Sequence, residues 1–514
     1  MKRLLFVLVF CLMLPTMAHA KTLKLAMDAD PESLDPHVQL SGGMLQYSHM
    51  VFDPLVRFTK EGGFEPRLAE KWEIIDPLTT RFYLRKGVKF HTGNDFTAKD
   101  VAWTLDRLKK SDDFKGLFEP FTVAEAVDDH TVDLKTSKPY ALVLAMATYL
   151  FPMDSAFYTG TDDQGKPKDA IVKTDHSFAN KNASGTGPFK LVKREHGVVL
   201  ELDRFADYWD KTSPGNVSKI VFTPIPENAA RVAALLSGGV DWIQPVPPQD
   251  YPRLEKEKNI QLVTMPGTRI ITFQLNQKRK PEFADPKVRL AIDYAIDSVT
   301  MVEKLLKGAA TPAGQQGPEG MAGFDPALTP RQDLEKAKAL MKEAGHEKGF
   351  ETTMICTNNR YVNDEKICEA TVGMLAKIGI KVALTTYPKA QYWDHFDAQI
   401  ADIQLIGWHP DTEDSANYSE YLLMCPNKDT GFGQYNSGNY CNKELDDLLM
   451  QAAVETDQAK RSEMLRKVER IAYEDGAYVP LHWQNLSWAA RKGVHLEPIV
   501  NIMDFPYFGD LVID

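Results

Sequence analysis

One segment restricts the fold of this chain more than any other. Residues 350–356 read as a strand, 364–378 as a helix, Ile380 to Thr386 as a strand, 389–397 as a short helix and Asp402 to Trp408 as a strand. A β-α-β-α-β run of this kind requires parallel neighbours joined by right-handed crossovers. In open parallel sheets the loops that meet ligands leave the carboxyl ends of the strands. Two loops here satisfy that rule: Thr357 to Asn363, and His409 to Asp414. Although some fifty positions separate them, both are expected to open on one edge of one sheet.

The two loops carry opposite charge. The first contains Arg360 and Tyr361; the second contains Asp411, Glu413 and Asp414. A guanidinium fork matches a carboxylate in bidentate fashion, and a carboxylate is the natural partner of an ammonium. Together the loops suit a zwitterion, such as a peptide with free ends. Taken singly, each of these residues also fits an ordinary solvated role. Glu413 and Asp414 either cap the loop or invite further positive charge in the ligand.

Other helix signals support the same half of the chain. Asp285-Pro286 opens a helix that turns Val288, Ala291, Ile292, Ala295, Ile296 and Val299 to one face. A second helix runs from Asp333 and stops at Gly345, and Asp364 reads as the cap of the helix that stops at Gly379. Strand-like pieces occur at 22–26, 81–84, 131–134, 189–192, 198–202 and 219–224, and the chain returns to strand character at Tyr478 to Trp483. An amino-terminal lobe completed by the carboxyl terminus leaves two chain crossings, near 264–272 and 477–484. Two crossings are what a hinge between closing lobes requires.

Composition then removes whole classes. With 60 Lys+Arg against 71 Asp+Glu the net charge is −11, which argues against nucleic acid as a partner, since that needs a basic surface. At roughly 100–200 residues per domain, 514 residues make about three units. Lys2 and Arg3, the apolar run from Leu4 to Leu14 and Ala18-His19-Ala20 form a removable export signal, with cleavage expected after Ala20. Cys11 sits inside the apolar run after Phe10 and does not fit a lipoprotein site. The periplasm is the expected compartment.

Cys356, Cys368, Cys425 and Cys441 remain after cleavage. An even count in an oxidising compartment points to disulfides, and pairing within the two sequence-local pairs is the simplest assignment. Zinc, which prefers closer Cys-x-x-Cys pairs, and a thiol nucleophile are the competing readings. No close His pair or His-Cys cluster favours a metal site. Gly-x-Ser-x-Gly, phosphate-loop, His-Glu-x-x-His and Gly-x-Gly-x-x-Gly patterns are all missing from the sequence. An enzyme is therefore not the leading reading, and a peptide-holding chaperone is a further alternative.

Ordered motifs carry a resemblance across essentially the whole mature chain. They are Leu68-Ala69-Glu70-Lys71-Trp72-Glu73, Phe82-Tyr83-Leu84-Arg85-Lys86-Gly87-Val88-Lys89-Phe90-His91 and Asp95 to Val101. Gly185-Thr186-Gly187-Pro188-Phe189, Tyr208-Trp209, Asp285 to Ala291 and Gly407-Trp408 continue the series. In these motifs the sequence resembles the solute-binding proteins of peptide-type ABC importers, extracellular family 5. Within them Trp72, Phe82, Phe90 and Phe96 read as core, and Gly87 and Gly187 as turns.

The resemblance implies an α/β, two-lobed periplasmic-binding-protein fold with an additional subdomain in the first lobe and a two-segment hinge. Expected boundaries are 1–20 for the signal, 21–50, 181–265 and 480–514 for lobe I, 51–180 for the extra subdomain and 266–479 for lobe II. It further implies that Asp411 binds a ligand ammonium, that Arg360 binds its carboxylate, and that Trp408 lies against it. The segment Gln39 to Met44, with Ser41, Gly42 and Gly43, would meet the ligand through backbone groups, and neighbouring Tyr361 is counted with the site. Also implied are capture without bond chemistry and without a cofactor, a monomer, and delivery to a permease heterodimer in the inner membrane. Relatives in the family carry dipeptides, longer peptides, glutathione, nickel complexes, haem, opines or sugars, so the solute class stays open at this level.

Overall fold

The computed structural model describes residues 21–514 except 32, 61–62, 173–176, 359, 411–413 and 428–429, and of 389 and 390 the backbone only. The export signal and Asp411 therefore lie outside the described residues. The expected β-α-β-α-β run is present as strand Glu351–Thr357, helix Asp364–Ala376, strand Lys381–Tyr387, helix Lys389–Asp397 and strand Ile403–Trp408. Strand Glu351–Thr357 lies between the other two and pairs parallel with both.

Ile403–Trp408 and the second half of Glu351–Thr357 are buried on both faces, whereas the edge strand Lys381–Tyr387 alternates exposed and half-buried residues. Met354, Cys356, Ile403 and Leu405 face one core, under helices Pro286–Ala295 and Asp364–Ala376. Ile355 and Ile406, one residue out of phase, face another core built with Tyr392, Leu445, Leu465 and Val468. The period-two alternation thus sorts one strand's side chains into two hydrophobic layers.

Ile403–Trp408 pairs antiparallel with Ile260–Leu275, and this strand pairs antiparallel with Val479–Arg491. On the far side, Val479–Arg491 continues to Trp242–Gln244, Thr22–Met27, Lys219–Pro224, Val199–Arg204 and Phe189–Glu195. A single eleven-stranded sheet therefore joins the two lobes through two long strands. Opposite Gln484 the pairing slips: Pro266 meets Asn485 and Ile270 meets Trp483, so Gly267, Thr268 and Arg269 bulge out of the ladder. Only glycine fits at 267, because a Cβ there would lie 2.8 Å from the Gln484 carbonyl oxygen.

A separate four-stranded sheet, in the order Ala69–Asp76, Thr79–Leu84, Thr131–Thr136 and Phe121–Asp128, forms the extra subdomain with helix Ala98–Leu108. Thr97 and Asp100 close a capping box at that helix start. Arg107 from the same helix donates two hydrogen bonds to the buried carboxylate of Asp35, at 2.8 and 2.6 Å. This fork fastens the subdomain to the amino-terminal segment.

Four local expectations change in the structure. The helix from Pro286 ends at Ala295, and Val299 is exposed beyond it. Asn363, with φ of +54°, occupies the cap position expected for Asp364; the Asp364 carboxylate instead accepts from Arg360 and Tyr361, as described below. Gly187 serves close approach and not a turn, since a Cβ would lie 2.4 Å from the Val51 carbonyl carbon. Phe82, Phe90 and Phe96 are core, whereas Trp72 packs at its edge. Both sequence-local disulfides, Cys356–Cys368 and Cys425–Cys441, are formed. Among the described residues no helix is long and apolar enough to cross a membrane.

Segment Ala313–Arg331 is anchored against the crossing strand by a buried acid. Trp483 donates to the Gln316 carbonyl oxygen at 2.8 Å, and the Gln316 and Gly317 amides donate to Glu469 at 3.2 and 3.4 Å. Burial outweighs those two bonds and raises the Glu469 carboxyl from 4.5 to about 7. The folded state thus holds this proton more tightly than the unfolded chain does. The stability Glu469 confers is complete below about pH 4.5 and is lost as pH climbs through about 7. Glu469→Gln is expected to flatten the fall in stability between about pH 5 and pH 8 by roughly 1–3 kcal/mol in urea unfolding. An unchanged pH dependence would show that Glu469 is not held neutral.

Candidate functional site

Between the lobes lies a cavity of about 970 Å³, at the upper end of the ~300–1,000 Å³ usual for small-molecule sites. Its floor is the slipped ladder itself: Gly267, Thr268 and Arg269 from one crossing strand, and Gln484, Asn485 and Leu486 from the other. Any rotation about these strands reshapes the floor directly.

The lobe II wall is built by the carboxyl ends of the parallel strands, as the sheet rule requires. Arg360 leaves the first of the two loops. Its backbone amide and that of Tyr361 both donate to the Asp364 carboxylate, at 2.9 and 3.0 Å, so a buried acid at the helix start fixes the loop's shape. Among the described residues the Arg360 guanidinium has no carboxylate within ion-pair distance; its Nε is buried without a hydrogen-bond partner. The group lines the cavity.

Tyr361 does not line it. Its ring is buried, and its hydroxyl accepts from the Gly407 amide at 2.8 Å and faces the Gly407 carbonyl oxygen at 3.3 Å. The expectation of a ligand contact is corrected to a positioning role: Tyr361 ties the Arg360 loop to the strand that ends in Trp408. Gly407 permits that contact, because a Cβ there would lie 2.6 Å from the Tyr361 ring. Sequence reading missed this because the pair is 46 positions apart.

Trp408 does line the cavity. Its indole N–H donates to Asn417 at 2.8 Å, and its ring packs on Tyr421 and Tyr435 with centroids 5.0 and 5.1 Å away. The indole is therefore fixed where it borders the cavity. His409, the next residue, is also at the cavity; burial and then the charge of Arg269 hold its imidazole at about 3, so it is neutral at physiological pH. Asp414 is fully engaged elsewhere: it caps helix Ser415–Leu422 and forms a buried ion pair with Arg461 at 3.0 Å. This is the capping alternative realised.

Each disulfide closes a loop that borders the cavity. Arg360 lies within the ring closed by Cys356–Cys368, and Tyr435, the partner of Trp408, lies within the ring closed by Cys425–Cys441. The cross-links limit the conformations open to these loops when they are not packed.

The lobe I wall begins at Ser41 and Gly42, where helix Gly42–Val51 starts. Ser41 is the cap residue but its side chain makes no capping bond. Among the described residues, no atom beyond the chain neighbours and the helix's own backbone stands within 4 Å of where a Cβ would sit on Gly42 or Gly43. The helix start is thus uncapped by its own Ser41 side chain, with the positive end of its dipole near the cleft. Gly43 lines a smaller adjoining cavity and not the main one. Asp504 and Phe505, from the returning chain, complete this wall together with Leu45, Tyr149 and Pro245. Sequence reading passed over Arg269, Tyr435 and Asp504; only their convergence in space marks them.

Comparison with known proteins agrees with this geometry. The model for bacterial extracellular solute-binding proteins, family 5 middle, matches residues 63–430. The dipeptide-binding protein of Escherichia coli K12 is 30% identical over 505 residues, 92% of this chain and 91% of its own. Heme-binding protein A of Haemophilus influenzae is 29% identical, covering 84% and 82%. The solved structure of the periplasmic binding protein DppA from Helicobacter pylori in complex with the peptide STSA is 27% identical, with a TM-score of 0.72 over 96% and 98% of the two chains. The chain belongs to the bacterial extracellular solute-binding proteins of family 5, whose members are periplasmic substrate-binding components of ABC importers and not enzymes.

Proposed function

We propose that this chain captures a small peptide with free ends. In this reading Arg360 pairs with the ligand carboxylate, Asp411 with its ammonium, Trp408 lies against its backbone, and the helix start at Ser41–Gly43 meets it from lobe I. The observation that carries the reading is Arg360, on a loop whose backbone amides Asp364 fixes, lining the cleft with no carboxylate within ion-pair distance of its guanidinium among the described residues. Leaving a guanidinium so placed is costly unless a ligand brings the opposite charge. Capture then draws lobe I (21–265 with 480–514) and lobe II (266–479) together about the crossing strands, excludes water, and favours the closed population. A monomer, exported with its amino terminus at Lys21, delivers the closed form to a permease heterodimer in the inner membrane.

Mass spectrometry of ligand retained on protein purified from periplasm, followed by calorimetry with free and end-blocked peptides, tests this. Arg360→Gln is expected to weaken binding of a free-carboxylate peptide by at least about tenfold, on the order of 1.4 kcal/mol, and to leave binding of its amide unchanged. Asp411→Asn is expected to do the same toward the free ammonium, with N-acetylated peptide as the control. Equal affinity for free and blocked ends, or a retained ligand with haem absorbance, would end the peptide reading.

The loop cross-link gives a second expectation. Replacing Cys356 and Cys368 together by Ser is expected to lower peptide affinity severalfold while circular dichroism keeps its native spectrum, because the Arg360 loop loses its restraint but its core strands do not. Unchanged affinity in a well-folded variant would remove the cross-link from the site's construction.

A further inference from the structure

Behind the uncapped helix start lies a second cavity of about 320 Å³. It shares Ser41, Gly42, Pro245 and Asp504 with the interlobe cleft, so a group attached to a ligand in the cleft can enter it. Nothing in the proposed pairing of ligand ends uses it.

Its lining is acidic and amide-rich. Asp28 follows strand Thr22–Met27, and Gln244 ends strand Trp242–Gln244; the two strands run parallel with Met27 opposite Gln244. Both side chains therefore emerge at the carboxyl ends of neighbouring parallel strands. Asp28 is exposed, and among the described residues no cation stands within ion-pair distance of it. Asp504 enters from the opposite side on a residue with φ of +60°. Its carboxylate accepts from the Gln244 amide nitrogen at 2.6 Å, and its carbonyl oxygen accepts from Gln46 at 2.8 Å.

The remaining acceptor decides the chemistry. Gln244 is 5% exposed, and among the described residues its buried side-chain oxygen has no hydrogen-bond partner. A buried acceptor left unpaired costs stability until a donor arrives. The neighbouring cations do not fill this role. Arg231 spends its guanidinium on the Ile225 and Pro245 carbonyl oxygens and on Asn228. Arg194 reaches Asp30 at 3.5 Å, where the Gly197 amide also binds it. Burial and then the Asp28 charge raise the Asp504 carboxyl to about 7, as expected for two acids that share a pocket.

Resting on the peptide reading above, we propose that this cavity is a subsite for the ammonium or guanidinium of a basic side chain in the captured peptide, held between Asp28 and Asp504 with the Gln244 oxygen as neutral acceptor. Ligands with a lysine or arginine in reach are selected over those with an apolar side chain of the same length.

The test compares peptides of one length that differ only in lysine against norleucine, by calorimetry. The lysyl peptide is expected to bind at least about tenfold more tightly, and the lysine-to-norleucine ratio is expected to fall to near one in Asp504→Asn. Should that variant fail to fold, Asp28→Asn gives the same readout at an exposed position. Equal binding of the two peptides by the native protein, or a ratio that survives both substitutions, overturns the subsite. If neither peptide binds, the peptide reading fails, and agmatine decides the subsite alone. A thermal melt raised by agmatine in the native protein but not in Asp28→Asn, at matched ionic strength, supports a cation site. An unmoved melt, or one raised equally in both proteins, overturns it.

Discussion

The two antiparallel strands Ile260–Leu275 and Val479–Arg491 are the constraint on which everything else in this molecule depends. They are the central members of the sheet that joins the lobes, and they form the floor of the cleft at the place where their ladder slips. A regular ladder there would leave no bulge, and side chains would alternate across it. Because Gly267 presses against the Gln484 carbonyl oxygen, three residues fold out where one would fit. Joint and binding floor are thus the same few residues. Substrate capture and lobe movement are mechanically inseparable in such an arrangement.

Loops placed on rigid strand ends line the cleft, and three devices hold them. Asp364 gathers the amides of the Arg360 loop, Tyr361 clasps Gly407 across the sheet, and the two disulfides close the loops that carry Arg360 and Tyr435. Each device acts on backbone and leaves the cavity-facing side chains available. On the proposed reading, the Arg360 loop is fixed before a charged guest arrives, and little ordering entropy is left to lose on binding.

Much of the lobe II sheet was legible before any coordinates, and the reason is physical. Strands buried on both faces write continuous apolar runs, and helices between them write their own period, so Glu351–Thr357 and Ile403–Trp408 fell within a residue or so of expectation. The rule that ligand loops leave strand carboxyl ends brought Arg360 and Trp408 to one cavity. What stayed hidden depended on pairing over long sequence distances. Tyr361 looked like a ligand residue because its hydroxyl's partner, Gly407, is invisible to any local pattern. Asp504 looked like part of an ordinary returning tail, and Arg269 like one residue of a strand; only the slipped ladder turns the latter outward. Asp364 was read as a cap, which is the common use of that residue, while its actual work is to hold a loop.

The central claim is that charge complementarity at Arg360 drives the lobes together. Pulsed electron–electron distance measurement reads this directly, with spin labels at Val192→Cys in lobe I and Met450→Cys in lobe II, both exposed positions. A peptide with free ends is predicted to move the distance distribution to a new and narrower population, whereas its carboxyl-terminal amide leaves the ligand-free distribution in place. An identical response to both peptides, or none to saturating free peptide, would contradict the account.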